Sequence, residues 1–400
     1  MDAAIGKNEK RLLAEEYQIG QIFRPEGYGW PGDWEGRALL AFLCHFEMTG
    51  RRNPCLTPFT EQLPARLNEN GCLGKPRDVS APADEQMLSG HNWLLRGLIR
   101  YAELFSDRNA AAMAERIFEN LYLPVLDRYE VYPASERKNG GVSGETVGRA
   151  DGWLLSGDVG CAYMCLDGVS RYYALSSDPR AKKWFDRAAE IFARTDIEKA
   201  GFQTHASLSA ARGVLKMYES TGDERYLGTA RALFDRYLRC GMTLTYENTN
   251  WFGRPDSWTE PCAVVDSLML AVGLFRSTGE GEYRTLARRI LFNGLSFCQR
   301  ENGGAGPNTC VTENTPELKI FMYEAPFCCT MRYAEGLLTA KRNAALFSFD
   351  PGAKEETDRF GRHFKDDLLI VKNGDRTVPL FSCRDIPEEE AKKLSLKVLW

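Results

Sequence analysis

The chain has no apolar run approaching the eighteen residues of a bilayer-spanning helix, so no transmembrane segment is expected. It also lacks any charge excess. Fifty-one Lys and Arg stand against 55 Asp and Glu, a formal net charge of −4, which gives neither nucleic acid nor an anionic membrane a reason to bind. The opening Met1-Asp-Ala-Ala-Ile-Gly-Lys-Asn-Glu-Lys has neither the basic nor the apolar region of a secretory leader, and a cytoplasmic location is expected. Twelve cysteines in 400 residues fall far short of a disulfide scaffold, and they read as reduced thiols, some of them metal ligands.

What is present is a repeated helix–turn–helix junction. Phe46-Glu-Met-Thr-Gly50, Leu104-Phe-Ser106-Asp, Tyr173-Ala-Leu-Ser-Ser177-Asp, Tyr218-Glu-Ser-Thr-Gly222-Asp and Phe275-Arg-Ser-Thr-Gly279-Glu share one design. An aromatic or leucine ends an apolar-periodic run, a Gly or Ser follows for the turn, and a polar residue opens the next helix. Helices are expected near 7–20 and 328–343, with pairs at 35–48/53–69, 88–105/107–127, 153–176/179–194, 203–220/223–240 and 261–278/281–300. That pattern predicts an all-α fold, an (α/α)6 barrel or toroid of about twelve helices, with an open solenoid as the alternative. Turns within pairs are short, whereas 70–87, 128–152, 241–260 and 301–327 are long, so sites are expected at the long-loop end. A helical domain over 1–345 precedes a β-rich segment over 346–400, with strands at 367–371, 377–381 and 394–400 and a turn at Asn373-Gly374.

The chemistry-bearing residues fall in those long connections. Trp258-Thr-Glu260-Pro-Cys262 and Phe327-Cys328-Cys329 together supply three thiols and a carboxylate, a complete tetrahedral donor set for Zn²⁺. Adjacent cysteines rarely bridge each other, which leaves packing as small apolar side chains as the other reading. His91 and His205 are expected to open helices, and Glu247 lies in the loop before Glu260. Trp93 and Trp251, with Trp30, Trp34, Trp153 and Trp258, offer flat faces for sugar rings or ordinary anchors for loops. Cys161 and Cys165, one helical turn apart, read as packing.

Glu-x-Cys at one helix start and Cys-Cys at a later one resemble the zinc–thiolate signature of glycoside hydrolase family 127, the β-L-arabinofuranosidases. Asp33-Trp-Glu-Gly36, Asn70-Gly-Cys-Leu-Gly74, Gly90-His91 and Thr204-His205 extend the resemblance over most of 1–345. It implies an (α/α)6 barrel followed by β-sandwich domains, and a retaining hydrolase of terminal furanosides. It further implies Zn²⁺ held by Glu260, Cys262, Cys328 and Cys329, with Cys328 the nucleophile and Glu247 the acid/base. His91, His205, Trp93 and Trp251 would contact the sugar. The partner would be a carbohydrate substrate, with a homodimer left open. Two rival readings stand beside it. One is a metal-independent α/α-barrel sugar enzyme, an epimerase or unsaturated-uronyl hydrolase. The other is a non-catalytic glycan-binding protein whose zinc is structural.

Overall fold

The computed structural model describes residues 1–23, 29–76, 81–134, 143–313, 315, 318–348, 354–358, 360–383, 390, 393 and 397–398. In chain order the helices are α1 (Asp2–Arg11), α2 (Ile19–Ile22), α3 (Asp33–Thr49), α4 (Leu56–Arg66), α5 (Glu85–Phe105), α6 (Arg108–Ile117) and α7 (Cys165–Ser176). They continue with α8 (Pro179–Arg194), α9 (Thr204–Thr221), α10 (Glu224–Cys240), α11 (Pro261–Thr278), α12 (Gly281–Arg289), α13 (Ser296–Cys298) and α14 (Cys329–Arg342). The strands are β1 (Ala83–Asp84), β2 (Thr146–Ala150), β3 (Trp153–Ser156), β4 (Glu355–Thr357), β5 (His363–Lys365), β6 (Leu368–Asn373), β7 (Arg376–Pro379) and β8 (Lys397–Val398).

The five junctions end as their residues dictate. Gly50, Ser106, Ser177, Gly222 and Gly279 all adopt the left-handed conformation, with φ between 54° and 74°. Each donates its backbone N–H to the carbonyl four residues back, those of Phe46, Ala102, Tyr173, Tyr218 and Phe275. Asp107 and Asp178 then cap the following helices, accepting from the N–H groups of Ala110 and Arg180.

The chain packs as two compact units, Leu12–Cys240 with Trp251–Gly253, and Met1–Arg11 with Gly241–Asn250 and Arg254–Trp400. In the 12–240 unit, α3, α5, α7 and α9 are buried on nearly every face, whereas α6, α8 and α10 bury one stripe and expose the other. The buried helices approach backbone to backbone. A Cβ at Gly36 would lie 2.1 Å from the α5 chain at Trp93 and Leu94, and one at Gly213 would lie 2.4 Å from Leu166 of α7.

Two expectations fail in this unit. Residues 153–156 are not helical but form β3, paired with β2 through the two-residue turn Asp151-Gly152, both at positive φ. An Asp-Gly pair between alternating apolar residues is a strong hairpin signal, and here it outweighs the apolar run that follows. Likewise α5 begins at Glu85, capped by Asp84, so His91 lies well inside the helix rather than at its start.

In the other unit α11 is long and apolar enough to cross a bilayer by composition, yet most of its surface is buried in the fold. It packs on α14 through the buried Arg332–Asp266 ion pair and through Gly336, which sits against Leu295 and Val265. The C-terminal strands form one sheet in the order β4-β5-β6-β7, with β8 on β6. The β6–β7 turn at Gly374-Asp375 bears out the Asn-Gly reading, and of the strand expected at 394–400 only 397–398 lie among the described residues. Asp366 and Asp367, both at positive φ in the β5–β6 turn, face Arg288 of α12, which also donates to the carbonyls of Leu346 and Ser348. The sheet is thereby tied to the helices of its own unit.

Ser177 is exposed and at φ 55°, where a Cβ is strained. Ser177→Gly is expected to raise stability by about 1 kcal/mol, against the usual direction of a Gly substitution. Urea unfolding, comparing the transition midpoint with wild type, checks it.

Candidate metal centre

Cis-acting geometry brings the four expected donors together. Glu260 is the N-cap of α11 and Cys262 its second residue, while Cys328 is the N-cap of α14 and Cys329 its first. One ligand atom from each of these side chains lies within 4.8 Å of every other. The Cys262 and Cys329 sulfurs are 3.9 Å apart, and those of Cys328 and Cys329 are 3.3 Å apart. Three thiolates 2.3 Å from one tetrahedral zinc sit about 3.8 Å from each other, so the residues fit that ion. Cys262 and Cys329 are buried, whereas Glu260 and Cys328 are partly exposed. One side of the cluster is therefore sealed and the other open. Burial, then the neighbouring Cys262 and Cys328 thiols, pushes the Cys329 thiol well above its ordinary range, and a cation is what this set needs in order to ionise.

The first turn of α14 is held from several sides. Asn8 of α1 donates to the carbonyls of Gly303 and Thr330, and the Thr330 hydroxyl donates to Glu324, which also accepts from Arg11. The backbone of 322–325 is hydrogen-bonded to 305–307, while the side chains of Tyr323 and Phe327 are 50% and 40% exposed just before the cysteine pair. The Tyr323 phenol is pushed up to about 12, by burial first and then by the charges of Cys328, Cys329 and Glu260.

Glu247 is found in a different setting from the one expected of an acid/base. Its side chain has no exposed surface and pairs with Lys319, itself fully buried, at 3.0 Å. Its Oε1 accepts from Asn308 Nδ2 at 2.7 Å and its Oε2 from Thr245 Oγ1 at 3.1 Å. Both carboxylate oxygens are enclosed and occupied by these partners. Lys319 and Asn308 were not legible as site residues, because they lie 72 and 61 positions from Glu247 in segments with no motif.

The four sugar-contact candidates lie in the 12–240 unit. His91 is fully buried, accepts at Nε2 from the Leu73 N–H at 2.9 Å and meets the Met87 carbonyl with Nδ1 at 2.9 Å. Both ring nitrogens are thus used by the chain, and the residue braces the loop before α5. His205 does open α9, and its ring stacks on Trp93 at 5.6 Å between centroids, with Arg37 on Trp93 at 3.9 Å. Trp251 is buried and donates to the Gly157 carbonyl at 3.2 Å.

No family model matches the chain, and no curated protein matches it. Solved structures do. A family 127 β-arabinofuranosidase superposes with a TM-score of 0.57 at 13% identity, covering 94% of this chain and 62% of its own. A family 127 β-L-arabinofuranosidase from Geobacillus stearothermophilus gives 0.52 at 13% identity, over 93% of this chain and 65% of its own. A cellobiose 2-epimerase from Bacillus thermoamylovorans gives 0.52 at 11% identity, over 84% and 99%. All are α/α-barrel enzymes, and the fold class is the one expected from the sequence. The chain spans under two thirds of the length of either arabinofuranosidase.

Purified without chelator, the protein is expected to carry about one divalent metal per chain by elemental analysis. Cys262→Ser should lose it and Cys161→Ser keep it. Burial also lowers the His91 pKa from 6.5 to about 4. A folded pKa below the unfolded one means that the unfolded chain takes up protons first as pH falls. Stability is therefore lost between about pH 6.5 and 4, by roughly 3 kcal/mol from this residue. The slope of melting temperature against pH over that window should flatten in His91→Gln.

Proposed function

We propose that the chain is a retaining glycoside hydrolase, acting on terminal β-L-arabinofuranosides, with Cys328 as nucleophile. The observation that carries this reading is the asymmetry of the four-donor cluster, in which one thiol, Cys328, is open while Cys262 and Cys329 are sealed. Glu260, Cys262, Cys328 and Cys329 would hold Zn²⁺, which when bound keeps the thiols deprotonated. Two solved proteins of similar fold are family 127 β-arabinofuranosidases, which supports the substrate class.

Within this reading, Cys328 Sγ forms a bond to the anomeric carbon as the bond to the aglycone oxygen breaks, and the leaving oxygen takes a proton from solvent. Water then attacks from the opposite face, its proton passes to solvent and the sulfur leaves as thiolate, so configuration is retained. Tyr323 and Phe327 offer exposed aromatic faces beside the thiol, on which the C–H face of a sugar can stack. Glu247 is enclosed by Lys319 and Asn308, and proton delivery from it would require that enclosure to open. Substrates whose leaving group needs little protonation are accordingly favoured.

p-Nitrophenyl β-L-arabinofuranoside should be hydrolysed, with the first-formed product β by NMR. Cys328→Ser should be inactive on every glycoside while keeping its fold. Inverted product, or no turnover of any aryl glycoside by metal-loaded protein, would move the metal to a structural role.

A further inference from the structure

Lys319 and Glu247 are two opposite charges with no exposed side-chain surface, placed 3.0 Å apart. A buried pair of this kind gains little stability over an apolar filling, because desolvation offsets the attraction. Its use is more often to fix one arrangement of the chain. Here it ties together four segments. Lys319 Nζ also donates to the Asn293 carbonyl and sits 3.9 Å over the Phe297 ring, which anchors it to the turn that follows α12. Glu247 reaches Asn308 through Oε1, and the Asn308 backbone exchanges two hydrogen bonds with Thr259, at 2.8 and 2.9 Å. Asn248, the next residue after Glu247, accepts the Glu260 N–H on Oδ1 at 2.8 Å. Glu247 therefore leads to Glu260 by two routes: its carboxylate holds Asn308, which pairs with Thr259, and its chain neighbour Asn248 accepts the Glu260 N–H.

The backbone at this point is held against its own preference. Tyr246 is a bulky residue at φ 62°, kept there by its N–H to the Thr243 carbonyl and by the Thr243 N–H to the Glu247 carbonyl. Gly294 presses on it so closely that a Cβ there would lie 2.5 Å from the Tyr246 carbonyl oxygen. Strain of this sort persists only where surrounding contacts over-determine the conformation.

We infer that Lys319 is a positioning residue for the metal ligand Glu260, acting through Glu247, Asn248 and Asn308, and that Glu247 is a brace of the metal site. The inference rests on the metal reading above and concerns how the chain presets its one carboxylate donor. A ligand at a helix N-cap, preceded by a long loop, is free to swing unless its backbone is fixed. Partners of this outer kind change metal affinity by about 10–100-fold when lost.

The test measures metal rather than turnover. Zn²⁺ affinity by competition with a chromophoric chelator, and the absorption of the Co²⁺-substituted protein, are compared in full-length variants. Lys319→Met/Glu247→Gln removes both charges together, so neither is left buried alone. Asn248→Ala removes the acceptor for the Glu260 N–H, and Asn248→Asp keeps it. The double variant and Asn248→Ala are expected to bind Zn²⁺ about 10–100-fold more weakly and to show altered cobalt d–d bands as Glu260 leaves. Asn248→Asp, which keeps that acceptor but loses the Nδ2–H donated to the Thr249 carbonyl, should bind Zn²⁺ more tightly than Asn248→Ala. If the double variant fails to fold, the Asn248 pair decides. Folded variants with wild-type affinity and an unchanged cobalt spectrum overturn the inference alone. A wild-type protein that takes up neither metal overturns the metal reading and this inference with it.

Discussion

The ion pair of Lys319 with Glu247 is the constraint on which the open side of the metal cluster depends. Both side chains are wholly buried, so neither charge has water to fall back on. Removing one partner of such a pair leaves an uncompensated charge and costs about 3–5 kcal/mol. The loop at 241–250 is consequently not an adjustable connection. It is held by Gly294 against Tyr246, by Lys319 and Asn308 on Glu247, and by the Glu260 N–H on Asn248. The second helix start in the cluster, that of α14, is tied to α11 by Arg332 on Asp266 and held from its other side by Asn8 and Glu324 around Thr330. The two braced helix starts meet, and four donors fall within one ion's reach.

The helical frame was legible because its signals are local. A left-handed residue after an aromatic-ended run needs nothing beyond its neighbours, and Gly50, Ser106, Ser177, Gly222 and Gly279 each adopt that conformation. The donor set was legible for a related reason, since Glu-x-Cys and Cys-Cys each place two ligands at one helix start. The failures involve contacts distant in sequence or competing local signals. Residues 153–156 carry an apolar run and an Asp-Gly turn at once, and pairing with β2 and β1 decided for strand. Glu247 was placed correctly in a loop beside Glu260. What surrounds it, Lys319 and Asn308, comes from more than sixty residues away and leaves no trace in spacing. His91 sits in a Gly-His pair that reads as a helix start, whereas Asp84 caps α5 seven residues earlier.

A four-ligand metal set is ordinarily structural, and a catalytic one ordinarily keeps a position open for water or substrate. The cluster here fits neither habit cleanly, and its exposure pattern is the one that the proposed chemistry at sulfur requires. A purely structural ion gains from burying all its ligands, yet Cys328 and Glu260 stay partly exposed beside the half-exposed rings of Tyr323 and Phe327. An epimerase of this fold needs no thiol cluster, so that reading leaves Cys262, Cys328 and Cys329 without a purpose. With a thiolate as nucleophile, the sulfur is also a better leaving group in the second step than an alkoxide would be. The harder half of the reaction is then protonation of the aglycone. With Glu247 enclosed beside Lys319, the proposed mechanism makes the acidity of the leaving alcohol the factor that would set which glycosides are cleaved.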